Sequence, residues 1–275
     1  MFKIGFIKLG NVASSLVADL ALDEIAERTD IETKTLGFGA KMTTKEAERS
    51  AELNEWDPQM VVIVGANAAA PGPIAARELY KDVVSTVVVS DGPAKKDARE
   101  ALEAEGFGYI ILPFDSLIGA KREFLDPAEM ALFNANCLKV LSVCGAVRLV
   151  QEELDCAMTS ITAGDSDLPH ILASPEICTE RMDFQNPYAR AKAMAALHLA
   201  QITGGINAQA CFRLKELEHI ALAAATGHEV MRAAAMLADE AREMEKGLDT
   251  VSRKPHARSG ALLKKTGLLD KTAQV

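Results

Sequence analysis

Short apolar runs alternate with segments of helical spacing through the first 125 residues. The runs "FKIGFI", "IETKTLGF", "MVVIVG", "TVVVS" and "YIIL" predict five strands. Between them, "VASSLVADLALDEIAER", "TKEAERSAELNE", "PIAARELYKD" and "AKKDAREALEAE" predict helices. Strand and helix in alternation imply a parallel sheet with helices on both faces. "MVVIV" and "TVVVS" are nearly apolar throughout, as strands buried on both faces should be. The expected fold is therefore α/β, with a Rossmann-like domain over residues 1–125.

From residue 126 the strand signal fades and alanine-rich helical spacing takes over. Asp126–Pro127 reads as a helix start, an N-cap side chain followed by proline in the first turn. The run from Ala128 to Ile161 is compatible with one long helix, broken at "GDSDLP". Asn186–Pro187 opens another, expected to end near Gly204–Gly205, and the stretch from Leu214 is stopped by Gly247. A helical domain over 126–275 follows. Its polar tail reads as a surface segment with a short final helix or partial disorder.

Composition narrows the function. A formal charge of −9 speaks against nucleic acid as a partner, which needs a basic surface. No run reaches the roughly 18 apolar residues of a membrane span, and the N-terminus lacks the pattern of a signal peptide. The five cysteines, none at C-x-x-C spacing, read as free thiols of a cytoplasmic protein without a zinc site. Abundant alanine predicts close helix packing.

Standard motifs are mostly missing. "KLGNVASS" after the first strand has one glycine, Gly10, where a dinucleotide fingerprint wants three. There is no P-loop, no G-x-S-x-G and no H-E-x-x-H. What remains is the edge where strands end, the usual ligand site of an open α/β sheet. It should carry Lys8, Gly10, Asn11, Ser14 and Ser15, then Gly65, Asn67, Ala69, Ala70 and Pro71, then Asp91, Gly92 and Pro93, then Asp115, Lys121 and Arg122. Such a surface suits an anionic or amide-bearing ligand held by backbone N–H groups and helix N-termini. Ordinary turn chemistry explains the same residues one at a time. "LIGAKREFLDP" gathers Lys121, Arg122, Glu123 and Asp126, either a solvated hinge or charges facing a cleft. Among the histidines, His256 in "KPHARSG" stands out because it follows proline in an irregular tail.

"GNVASS", "NAAAPGPIAARE", "GYIILPFDSLIGAKREFLDPAEMALFNANCLKVL", "NPYARAKAMAALHLA" and "KPHA", in that order, resemble the deazaflavin-dependent methylenetetrahydromethanopterin dehydrogenases. The resemblance implies an oxidoreductase of one-carbon metabolism and methanogenesis, built as a homohexamer, a trimer of dimers. It implies two ligands, methylenetetrahydromethanopterin and the deazaflavin coenzyme F420, with a hydride passing from the methylene carbon of the one to carbon 5 of the other. Hydride transfer between bound rings needs alignment rather than a nucleophile, so no catalytic side chain and no metal is expected. Carried over, the coenzyme would lie against Lys8, Gly10, Asn11, Ser14, Gly65, Asn67, Ala69, Ala70, Pro71, Asp91 and Pro93. The pterin substrate would lie against Asp115, Lys121, Arg122, Glu123, Asp126 and His256. Ala66 and Ala68 stand where the family typically has proline, and Ala13 where it has glycine. If these departures weaken the coenzyme site, restoring proline at 66 and 68, or glycine at 13, is expected to raise coenzyme affinity. The alternative is a paralogue on the same scaffold that binds a pterin or related one-carbon compound with different or no redox activity.

Overall fold

The structure is a computed structural model that describes residues 1–10, 13–92, 94–114 and 126–275. Six parallel strands form the main sheet: β1 (Phe2–Leu9), β2 (Ile31–Gly37), β3 (Met60–Gly65), β4 (Ser85–Asp91), β5 (Gly108–Leu112) and β6 (His170–Leu172), in the order β2-β1-β3-β4-β5-β6. The helices between them are α1 (Ala13–Glu24), α2 (Thr44–Arg49) with a 3-10 turn at Ser50–Trp56, α3 (Pro71–Glu78) and α4 (Lys96–Ala104). From β1 the chain moves to one side, to β2. From β2 onward it steps the other way across the sheet. Right-handed crossovers then put α1 on one face and α2, α3 and α4 on the other. The packing agrees on the second face: Ile7, Leu9, Val61 and Ile63 meet Ala47, Leu53, Ala76 and Tyr80, while Val88, Tyr109 and Ile111 meet Leu102.

The first compact unit comprises Met1–Leu112, Val150–Ala173 and Pro255–Leu262. The second comprises the described residues of Pro113–Leu149, Ser174–Lys254 and Leu263–Val275. The division thus runs differently from a single cut at 125/126: two later segments join the sheet unit. One of them supplies β6, which the sequence did not announce because three residues are too few to show alternation. Leu168 and Pro169 lead into it over Gly108, where a Cβ would come within 2.8 Å of the Leu168 Cβ.

In the second unit, α8 (Pro187–Phe212) and α9 (Leu217–Gly247) form the main pair, with α5 (Pro127–Val143) and α7 (Pro175–Glu180) against it. Their buried faces are largely alanine, including Ala193, Ala196, Ala200, Ala224, Ala234 and Ala238. At Gly227 a Cβ would stand 2.1 Å from the Asn207 Oδ1, so the close crossing requires glycine there.

Three expectations about elements are corrected. The run from Ala128 is two helices, α5 and α6 (Ala146–Ala163), because Gly145 takes a positive φ of 99° and a Cβ there would lie 2.0 Å from the Cys178 carbonyl. Helix α8 continues through Gly204–Gly205 to Phe212, its packing against α9 outweighing two weak helix formers. The tail holds a small antiparallel pair, β7 (Leu263–Lys264) with β8 (Ala273–Gln274), rather than a helix. Among the described residues, no single helix is long and apolar enough to cross a membrane.

Candidate active site

The chain leaves β1 toward β2 on one side and β3 toward β4 on the other, so the ends of β1 and β3 flank a crevice, the usual ligand position of this topology. At the end of β1, Gly10 has a φ of 86°, a conformation that favours glycine. Ser14 and Ser15 are buried in the first turn of α1. Lys8 does not reach out for a ligand. Its Nζ sits 2.6 Å and 2.7 Å from the two carboxylate oxygens of Asp19 on α1.

The turn between β3 and α3 is held from several sides. Gly65 closes β3, and a Cβ there would meet the Leu9 carbonyl at 3.0 Å. Asn67 is left-handed, with φ 55°, and the Ala70 N–H donates to its carbonyl at 2.8 Å. The Asn67 side chain serves this same turn, accepting from the Ala69 N–H at 3.2 Å. The Asn67 N–H donates to Asp91 Oδ1 at 2.7 Å, and the Ala68 N–H to Ser90 Oγ at 2.9 Å. Arg77, buried on α3, donates to the Ala68 carbonyl at 2.9 Å and to Glu105 at 3.2 Å. Pro71 opens α3, and at Gly72 a Cβ would strike the Met42 carbonyl at 2.0 Å.

The N–H groups of residues 67 to 70 are thus engaged inside the protein, and Pro71 and Pro73 have none. The expectation that this turn offers a row of N–H donors is not what the geometry supports. The turn offers small apolar surface instead: Ala69 and Pro71 are exposed and Ala70 is half-buried. A flat ring can lie against such a surface.

Asp91, at the end of β4, is the charged group buried within this edge, with only 1% of its surface exposed. Its Oδ1 takes the Asn67 N–H, while its Oδ2 is buried without a hydrogen-bond partner. Burial pushes its carboxyl up to about 6, partly opposed by the N–H groups of Asn67 and of Asp91 itself.

Two other sequence candidates have structural partners. Asp126 is the N-cap of α5, its Oδ1 accepting from the N–H groups of Ala128 at 2.7 Å and Glu129 at 3.3 Å. His256 is corrected more sharply. Its Nδ1 lies 2.7 Å from Glu24 Oε2 and its Nε2 lies 2.7 Å from Asp155 Oδ2. Glu24 ends α1 and Asp30 immediately precedes β2, so this cluster sits where strands begin, at the opposite edge from the crevice. His256 is a clasp within its own unit, with both ring nitrogens engaged by carboxylates. Asn11, Pro93, Asp115, Lys121, Arg122 and Glu123 fall outside the described residues.

Sequence reading missed Ser90, Arg77 and Asp19, all of which shape the edge. The hints were faint: a serine near the end of an apolar strand, and an arginine on a short, alanine- and proline-rich helix. Among the described residues no three His, Cys, Asp or Glu side chains gather to hold a metal. Cys144 and Cys178 are buried thiols, the latter pushed up to about 12 by desolvation, so neither is activated.

Known proteins share this architecture. The chain is 57% identical over 275 residues to the F420-dependent methylenetetrahydromethanopterin dehydrogenase of Methanosarcina mazei, covering 98% of both chains. It is 48% identical over 270 residues to the Archaeoglobus fulgidus enzyme of the same name, again covering 98% of both. A solved structure of an F420-dependent methylene-tetrahydromethanopterin dehydrogenase, in complex with methylene-tetrahydromethanopterin and coenzyme F420, superposes with a TM-score of 0.94. That match has 39% identity and covers 99% of this chain and 100% of the other. The family model for methylene-5,6,7,8-tetrahydromethanopterin dehydrogenase matches residues 2–273, and the chain belongs to this family.

Proposed function

We propose that this chain is an oxidoreductase of one-carbon metabolism that transfers a hydride between methylenetetrahydromethanopterin and coenzyme F420. The observation that carries the reading is the full-length likeness to a solved enzyme holding both compounds. The likenesses do not favour the alternative of a paralogue with different or no redox activity.

The residues at the crevice fit flat ring ligands. Ala69, Ala70 and Pro71 present a surface without long side chains, and Gly65 lets the Leu9 backbone lie close. The buried Oδ2 of Asp91 is a polar atom left over at the same edge. Gly10, Ser14, Gly65, Asn67, Ala69, Ala70, Pro71 and Asp91 would form the wall that holds the coenzyme. When bound, the two ligands supply hydride donor and hydride acceptor. The chain's own residues position and exclude water. Orientation of this kind is worth on the order of 7–11 kcal/mol. No acid or base is required of the wall.

We further propose a cytoplasmic homohexamer, a trimer of dimers. Large exposed side chains on α8 and α9, among them Phe212, Leu217 and Leu222, support an assembly. The test of the activity is anaerobic: purified protein, methylenetetrahydromethanopterin and oxidised F420, followed by coenzyme absorbance. Pterin-dependent loss of absorbance is expected. A folded protein that binds both compounds without turnover overturns the reading.

A further inference from the structure

Two neighbouring side chains at the end of β4, Ser90 and Asp91, accept two successive N–H groups of the turn after β3. The bonds run from Asn67 to Asp91 Oδ1 at 2.7 Å and from Ala68 to Ser90 Oγ at 2.9 Å. They join residues more than twenty positions apart and fix Asn67 in its left-handed conformation. Asn67 carries a Cβ, and apart from the Arg77 bond to the Ala68 carbonyl the turn's other hydrogen bonds among the described residues are local. A carboxylate is also a costly choice for this task. Asparagine or serine would accept the same N–H without a buried charge.

The environment of that carboxylate is unusual for a structural group. Lys8 on β1 is paired with Asp19, and Arg77 on α3 is directed to Ala68 and Glu105. Among the described residues no charged side chain is a cause of the Asp91 shift; burial opposes its ionisation, and the N–H groups of Asn67 and of Asp91 itself favour it. The carboxyl therefore changes charge close to neutral pH.

We propose that Asp91 is a positioning residue whose ionised carboxylate, beside Ser90, holds the β3–α3 turn in the shape on which a ring ligand rests, and loosens it on protonation. This rests on the functional reading above for the identity of the ring, pterin or deazaflavin. The hold on the turn itself does not depend on it.

The experiment compares the full-length protein with Asp91→Asn and Asp91→Ala. Hydrogen exchange of peptides spanning 66–70 is measured without ligand, and dissociation constants for oxidised F420 and for the pterin are measured separately from pH 5 to 8. Wild-type protection should fall as pH drops through about 6. Affinity for the ligand that rests on the turn should fall with it, which identifies the ligand. Asp91→Asn, a neutral acceptor like the protonated acid, should show the low-pH level of protection at every pH. Asp91→Ala should speed exchange on the order of ten-fold, one hydrogen bond's worth. Its kcat should fall more than its KM rises. Unchanged protection in Asp91→Ala, or a wild-type pH transition persisting in Asp91→Asn, overturns the proposal. If Asp91→Ala does not fold, the pH arm of Asp91→Asn decides alone. A wild type without turnover would sink the dehydrogenase reading and leave the exchange comparison intact.

Discussion

The two edges of the sheet handle buried charge in opposite ways. Where strands begin, Glu24, His256, Asp155, Arg28 and Asp30 form a continuous ladder in which each charge meets one of opposite sign. His256 bridges two carboxylates, and Arg28 reaches Asp155 at 2.8 Å and Asp30 at 2.7 Å. Where strands end, Asp91 sits buried with one of its oxygens unpartnered. The ladder holds its members charged: Glu24 and Asp30 lie below the usual carboxylate range, and His256 lies at about 9. The lone carboxyl is pushed the other way. One edge is built for stability. The other tolerates a poorly satisfied group, as active sites do.

Removing Arg28, the cation that bonds both Asp155 and Asp30, should have the largest effect. Arg28 is 6% exposed, and its loss leaves Asp30 without its ion-pair partner and Asp155 with His256 alone. Arg28→Ala should cost about 2–3 kcal/mol, below the usual range for a buried pair because Asp30 and Asp155 are partly solvated. The melting temperature reports it. Ligand affinity of the folded variant should stay at the wild-type value. A parallel loss of affinity would erase the distinction between the edges.

The next effect depends on pH. His256 is raised from an ordinary 6.5 to about 9, first through its bonds to Asp155 and Glu24. A raised histidine contributes fully below pH 6.5, and the contribution disappears as pH rises through 9. Unfolding free energy should therefore fall between those values by on the order of 2–3 kcal/mol. His256→Gln should be less stable at pH 6 and should lose this slope. Glu24 acts with the opposite sign, its contribution present above 4.5 and lost as pH falls through its lowered value. A wild-type slope retained in His256→Gln would mean that another group titrates there.

The contrast also explains what the sequence could reveal. Strands β1 to β5 and the start of α5 were legible because apolar runs and the Asp126–Pro127 cap act locally. The ladder was not, because its members lie as much as 232 positions apart and no spacing rule connects them. His256 was noticed for its place in an irregular tail and read as a substrate residue, since sequence cannot show that Glu24 and Asp155 take both ring nitrogens. The candidate site was legible as a set of loops. Its inner support was not. That Asn67 serves its own turn, and that Ser90 and Asp91 take the N–H groups, are facts of three-dimensional pairing.

That support reverses one expectation. Proline at 68 would delete the N–H that Ser90 accepts, and would follow a residue whose left-handed conformation proline disfavours. Ala68→Pro alone should destabilise by about 1–2 kcal/mol and weaken ligand binding, measured by denaturant titration and ligand titration. A gain in affinity would show that rigidity of the turn outweighs its hydrogen bonds.

The smallest effect tests where the functional edge stops. Lys8 lies beside the crevice, but its charge is already engaged by Asp19, which is 47% exposed. Such a half-solvated pair contributes little, and Lys8→Ala should cost about 0.5–1 kcal/mol. Because Asp19 neutralises it, Lys8 adds little attraction for an anionic ligand, and the F420 dissociation constant should change less than two-fold at physiological salt. A larger loss that shrinks as salt is added would mean that Lys8 leaves Asp19 for the ligand. The edge would then carry a cation as well as the buried carboxyl, and its contrast with the ladder would narrow.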